Sequence, residues 1–289
     1  MDPLISTDWL AANLEAPDLR VVDGTYYLSA EQKSARQEFL ARHIPGAVFF
    51  DIDEIADSGS SLPHMLPSPE KFSSKVRKLG LGDGLRIVVY DSRGGLFSAP
   101  RVRWTFRVFG HPEVAVLDGG LNRWIAEERP LEEGPARPGE RHFTARANSF
   151  LVRDLQQMQG NLESRREQVL DARARGRFEG AAPELWPGRR AGHIPGSRNL
   201  PFTELAKADG TLKPASELRQ LYAKAGIDLA KPVVTTCGSG ITAAVLALGL
   251  EVAGARQVAV YDGSWAEWGL PQQPGETGRP VATGPAETQ

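Results

Sequence analysis

Apolar residues along this chain fall into two alternating patterns. Short runs such as Leu19–Asp23, Arg86–Tyr90 and Val114–Leu117, apolar apart from Arg20, Asp23 and Arg86, carry the β-branched residues of strands buried on both faces. Between them lie segments with apolar positions at helical spacing. These are a short helix over 9–14 preceded by the capping residues Ser6 and Asp8, a polar one over 29–41, and others near 69–79, 99–109 and 121–127. Residues 48–53 read as mostly extended, and residues 58–69, rich in Ser, Gly and Pro, form an excursion that carries His64. Strands alternating with helices predict an α/β layer fold with a mainly parallel sheet.

Beyond residue 130 the pattern breaks, with Gly134, Pro135, Pro138 and Gly139 among mixed charges. The second half of the chain then repeats the first. Val169-Leu170-Asp171 echoes Val21-Val22-Asp23, and His193-Ile194-Pro195-Gly196 repeats His43-Ile44-Pro45-Gly46. Tyr261-Asp262-Gly263-Ser264-Trp265 likewise echoes Leu117-Asp118-Gly119-Gly120-Leu121. A near-constant offset of about 150 residues implies a tandem duplication. The predicted organisation is an N-terminal domain over residues 1–133, a linker over 134–150 and a C-terminal domain over 151–272. A tail over 273–289, rich in Pro, Gly, Thr and charge, is expected to be disordered.

Candidate chemistry concentrates in residues 232–246, which read as a buried strand, a tight loop opened by Cys237, and a helix that starts as the loop closes. Gly238 and Gly240 let the backbone fold back, so that successive N–H groups and the positive end of the helix dipole can stabilise negative charge on the sulfur. A cysteine that only filled a core would need no glycines on the loop it opens.

The duplication separates scaffold from chemistry. A residue present in both copies serves the shared fold, so His43 and His193 read as turn residues. Asp91 stands where Cys237 stands in the second copy, and a carboxylate cannot do thiol chemistry. Counting the same offset places Thr203 opposite Asp53 and Pro214 opposite His64, so Asp53 and His64 belong to the first half alone. Arg177, and Arg189 with Arg190 just before the second turn, offer cations for an anionic substrate.

Composition narrows the partners. With a single cysteine in 289 residues there is no intramolecular disulfide and no Cys cluster of zinc-site spacing, and a reducing compartment is expected. A formal net charge of -2 gives no general reason to expect nucleic acid or an anionic membrane. No stretch approaches the roughly 18 apolar residues needed to span a bilayer, and the N-terminus lacks the basic start and apolar run of a signal peptide. A soluble, cytoplasmic protein is predicted, with no metal or other cofactor called for.

Two α/β halves with His-Ile-Pro-Gly turns, an Asp-Gly-Gly and an Asp-Gly-Ser-Trp turn, and one Cys loop in the second half resemble the rhodanese, or sulfurtransferase, family. The resemblance runs to about Pro271. It implies two tandem rhodanese-like domains, the first inactive and the second catalytic. The loop Cys237-Gly238-Ser239-Gly240-Ile241-Thr242 is similar to that of members acting on 3-mercaptopyruvate, whereas members preferring thiosulfate carry basic residues just after the cysteine. Thiosulfate is a compact dianion that needs cations beside the sulfur; mercaptopyruvate has one carboxylate, remote from the transferred atom.

The resemblance further implies that Cys237 takes the donor sulfur as a persulfide and passes it to a thiol such as thioredoxin, or to cyanide. The N–H groups of Gly238, Ser239, Gly240, Ile241 and Thr242 would hold the persulfide charge, and Ser239, His64 and Asp53 would form a proton relay. Arg177, in an Arg-Phe pair, matches one of two substrate-binding arginines. Trp186 occupies the place of the second, so that either Arg189 or Arg190 reaches in from a shifted loop or carboxylate binding is weaker, and Phe97 sits where a Tyr often occurs. Two readings compete with this one: a thiosulfate:cyanide sulfurtransferase of the same fold, and a non-catalytic persulfide carrier or interaction module. A cysteine phosphatase of shared architecture needs an arginine closing the loop, and here that position is Ala243, with no arginine before Arg256.

Overall fold

The mainly apolar runs become the centres of two parallel sheets. The structure, a computed structural model, describes residues 1–136, 138–272 and 277–286. It divides into two units: unit 1 holds Met1–Gly59, Leu66–Asn148 and Ala206–Leu212, and unit 2 holds Ser60–Met65, Ser149–Leu205 and the described residues from Lys213 onward.

In unit 1 the strands are β1 (Leu4–Ile5), β2 (Leu19–Asp23), β3 (Val48–Phe49), β4 (Arg86–Tyr90) and β5 (Val114–Leu117), arranged in the order β1-β5-β4-β2-β3. Every pairing is parallel, and β2 lies against β4 from Leu19↔Arg86 to Asp23↔Tyr90. The connecting helices are α1 (Thr7–Asn13), α2 (Ala35–Ala41), α3 (Ile52–Ile55), α4 (Pro69–Lys78), α5 (Ala99–Val108) and α6 (Gly120–Ala126). Ser6 caps α1, its hydroxyl accepting from the Trp9 N–H. One face of the sheet is closed by Leu10, Phe39 and Trp124 packed on Val21, Val88 and Leu117.

Unit 2 repeats the plan. Strands β6 (Val152–Arg153), β7 (Gln168–Asp171), β8 (Arg198–Asn199), β9 (Val233–Thr236) and β10 (Val258–Tyr261) lie in the order β6-β10-β9-β7-β8, again all parallel. Its helices are α7 (Leu155–Ser164), α8 (Arg175–Phe178), α9 (Ala215–Lys224), α10 (Ala243–Ala253) and α11 (Ser264–Trp268). Helix α10 is apolar almost all round and mostly buried. Gly249 lets α9 approach it: a Cβ there would lie 2.4 Å from the Tyr222 hydroxyl, which donates to the Leu246 carbonyl at 2.9 Å. Among the described residues no helix is long and apolar enough to cross a membrane.

The two repeated histidines do the same work. His43 donates from Nδ1 to the Phe39 carbonyl at 2.7 Å and stacks on the Phe39 ring at 4.1 Å. His193 does so to the Phe178 carbonyl at 2.9 Å, with its ring 3.8 Å from that of Phe178.

Two expected boundaries shift. The stretch read as a linker packs onto unit 1 as far as Asn148. Phe143 is buried against Phe72 and Phe106, and Asn148 donates its backbone N–H to the Val108 carbonyl. The tail read as disordered is fixed over residues 277–286; residues 273–276 and 287–289 lie outside the described residues. Ala282 bridges His193, as Glu132 bridges His43 in unit 1. The Trp268 indole donates to the Pro280 carbonyl at 2.8 Å, as Trp124 does to Pro130 at 2.7 Å. Each copy thus ends on a strap hydrogen-bonded across its histidine turn. An apolar pattern cannot announce it, because backbone groups hold it.

Gly192 seats the second strap. Its φ is +124°, and an added Cβ would lie 2.2 Å from the Ala282 carbonyl oxygen. Gly192→Ala is expected to combine backbone strain of about 1–3 kcal/mol with that clash, lowering the melting temperature by roughly 5 °C or more in calorimetry.

Candidate active site

The candidate nucleophile opens the turn between β9 and α10. Cys237 is buried, at 2% exposure, and its backbone is clamped by the start of α11. The Cys237 N–H donates to the Ser264 hydroxyl at 3.2 Å, and Ser264 passes a hydrogen bond to the Tyr261 carbonyl at 2.8 Å. The Trp265 N–H donates to the Cys237 carbonyl at 2.9 Å and the Ala266 N–H to the Gly238 carbonyl at 2.7 Å. The repeated turn therefore holds the loop through its backbone at Cys237 and Gly238. Gly240 takes a φ of +80°, the left-handed conformation that glycine adopts without penalty, and turns the chain toward α10.

The same turn in unit 1 illustrates what this geometry holds. Asp91, directly after β4, is fully buried, and its carboxylate accepts five backbone N–H groups: those of Arg93 and Gly95 on Oδ1, and of Phe97, Ser98 and Ala99 on Oδ2. The strand-to-helix turn is a cradle of N–H donors, and in the first copy a carboxylate of the chain itself fills it.

Around the Cys237 loop, unit 2 gathers four side chains. His64, in the segment Ser60–Met65, places Nδ1 3.0 Å from the Ser239 hydroxyl, with both residues buried. His64 adopts a φ of +60°, so the excursion bends sharply there and delivers the imidazole. Its ring meets that of Trp186 edge-on, with centroids 5.8 Å apart. Arg177, on α8, and Trp186 press against Gly238: a Cβ added there would lie 3.1 Å from Arg177 Nη2 and 3.6 Å from Trp186 Nε1. The predicted residues Cys237, Ser239, His64 and Arg177 are thus assembled in one place, with Gly238, Gly240, Ile241 and Thr242 forming the loop itself.

Asp53 belongs to unit 1, on α3, where burial, with the neighbouring Asp51 adding to it, raises its carboxyl above the usual range. Arg190 does not serve as an open cation. Its Nη2 donates to the Trp268 and Arg279 carbonyls and its Nη1 to Gln272, so it pins the segment leading to the strap. Arg189 donates from Nε to the Ala266 carbonyl and from Nη1 to that of Pro187. The sequence offers both as substrate cations, and the structure engages both with backbone oxygens instead, because a guanidinium beside unpaired carbonyls satisfies them.

Two side chains that pack beside Arg177, those of Glu184 and Arg173, carry no clear signal in the sequence. Glu184, whose side chain is 4% exposed, accepts from Arg177 Nη2 at 2.6 Å and from the buried Arg173 at 2.7 Å. Only the alternation of Arg173, Arg177 and Glu184 in one stretch hints at such an array, and it does not fix who pairs with whom.

Comparison with known proteins identifies the family of the chain. The rhodanese-like domain family matches residues 6–127 and again 153–270. A 3-mercaptopyruvate sulfurtransferase of Homo sapiens is 45% identical over 276 residues, covering 94% of this chain and 93% of the human protein. A thiosulfate sulfurtransferase of Bos taurus is also 45% identical, over 92% of this chain and 91% of its own length. The crystal structure of SseA from Escherichia coli, described as a 3-mercaptopyruvate sulfotransferase, superposes with a TM-score of 0.84 at 40% identity, covering 92% of this chain and all of that one. With both halves matched and relatives at this identity along nearly its whole length, the chain belongs to the rhodanese family.

Proposed function

We propose that this enzyme moves the sulfur of 3-mercaptopyruvate, through a persulfide on Cys237, to a thiol such as thioredoxin or to cyanide. The observation that carries the proposal is the His64–Ser239 hydrogen bond at the Cys237 loop, together with a guanidinium pressed on Gly238 of the same loop. The Cys237 thiolate attacks the donor sulfur, and the carbon–sulfur bond breaks. Its electron pair leaves on carbon as the enolate of pyruvate, and the donor's thiol proton ends on that carbon. Ser239 and His64 are suited to carry the proton, because a hydroxyl bonded to an imidazole can relay it. Asp53 is assigned to the same relay by family resemblance. Arg177 binds the donor carboxylate, and the loop N–H groups hold the persulfide charge, as the five N–H groups around Asp91 hold a carboxylate. The acceptor then attacks the outer sulfur, and the Cys237 thiolate is restored. A lone cysteine that must stay free suits the reducing cytoplasm.

A thiosulfate donor is the second reading, favoured by the bovine relative's name. The neutral Gly238-Ser239-Gly240 run counts against it. The test is the intact mass of reduced protein after brief exposure to either donor. The expected result is gain of one sulfur atom from 3-mercaptopyruvate far faster than from thiosulfate, reversed by cyanide. The reverse order would move the assignment to thiosulfate, and no gain from either donor would sink the enzyme reading.

A further inference from the structure

We infer that Glu184 sets the donor charge this site accepts, by orienting Arg177 and cancelling its charge; the substrate part of this inference rests on the function proposed above. Arg173 is the anchor. Its side chain is 1% exposed, bidentate to Asp171 at 2.7–3.1 Å and stacked over the Trp265 ring at 4.3 Å. Its remaining arm, Nη1, donates to Glu184 Oε1 at 2.7 Å. Glu184 has one oxygen left, and Oε2 accepts from Arg177 through both Nε at 3.2 Å and Nη2 at 2.6 Å. One edge of the Arg177 guanidinium is therefore fixed, and its Nη1 makes no hydrogen bond among the described residues.

The array leads back to the nucleophile. Trp265, under Arg173, donates its backbone N–H to the Cys237 carbonyl, and Arg177 closes the ring against Gly238. Any slack in Glu184 would reach the sulfur loop through Arg177. The array contains two arginines and two carboxylates, so it carries no net charge before a donor arrives. A donor with one carboxylate finds one guanidinium with a free arm. A dianion finds no surplus cation, and Coulomb repulsion from Glu184 opposes its second charge. Glu184 acts through Arg177 and is a positioning residue; it does not touch the reacting atoms.

Glu184→Gln keeps the size and removes the charge. The expected result is that the ratio of kcat/KM for thiosulfate to that for 3-mercaptopyruvate rises about five-fold or more, carried by the KM for thiosulfate, and that Glu184→Asp restores the wild-type ratio. A readout independent of turnover is available because Cys237 is the only thiol. Its alkylation by anionic iodoacetate is compared with that by neutral iodoacetamide, by intact mass. The iodoacetate-to-iodoacetamide rate ratio should rise about five-fold in Glu184→Gln. In Arg177→Gln, which leaves Arg173 and Glu184 paired should the first variant fold poorly, the ratio should fall by a similar factor. A Glu184 that merely supports packing would change both reagents together. An unchanged or inverted alkylation ratio in both variants overturns the inference, even if the enzyme proves to use another donor. Failure of the wild type to gain sulfur from either donor would sink the function while leaving the alkylation test in force.

Discussion

Replacing Cys237 with serine is expected to abolish sulfur gain from either donor and to lower turnover by about 10⁴-fold or more, the scale seen when a covalent nucleophile is removed. The variant should remain folded. Cys237 contributes its backbone, not its sulfur, to the clamp from Ser264, Trp265 and Ala266, and serine differs by one atom at a 2% exposed position. The loop keeps its shape while losing the atom able to hold a second sulfur. A serine hydroxyl is neither ionised at neutral pH nor a partner for a stable bond to sulfur. Intact mass after donor exposure and a cyanide assay of thiocyanate release read the two effects. Persistent sulfur gain would mean a second carrier in a chain with no other thiol, which would overturn the assignment of the nucleophile.

Fold and site differ in how far the sequence makes them legible. Runs such as Ile87–Tyr90 declare their strands because a strand covered on both faces must be apolar throughout, and the repeated turns reveal the duplication. The strap does not show, since residues 277–286 are held by Ala282 bonding His193 and by Trp268 bonding Pro280, contacts between backbone and indole that leave no hydrophobic period. The glycines around Cys237 mark the loop directly. That His64 lies beside Ser239 is implied only by family resemblance, because nothing local assigns residues 60–65 to the unit that contains residue 239. The charged residues are the least legible. Arg190 looks like a substrate cation and is consumed by three oxygens, while Glu184, in a stretch of exposed neighbours, is turned inward by Arg173. Charge in a sequence does not say which opposite charge or carbonyl will reach it first.

His64→Asn is expected to slow formation of the persulfide from 3-mercaptopyruvate by roughly 10²-fold or more, the usual size of a general acid–base contribution, while release of that sulfur to cyanide changes only a few-fold. Asparagine is chosen for two reasons. The His64 backbone has a φ of +60°, which asparagine tolerates better than other non-glycine residues. Its side-chain amide can also keep a hydrogen bond to the Ser239 hydroxyl, now 3.0 Å from Nδ1. What it cannot do is exchange a proton. The two halves of the reaction differ in that requirement. Pyruvate leaves as an enolate that must gain a proton on carbon, whereas cyanide removes the outer sulfur as thiocyanate and returns a thiolate with no proton moved. Single-turnover measurements separate them: the first from sulfur gained per unit time, the second by adding cyanide to protein already carrying the persulfide. Equal slowing of both halves would make His64 a support for the loop, with its bond to Ser239 serving shape alone. Slowing confined to the donor half, with His64→Ala matching His64→Asn, would identify the lost proton path as the cause.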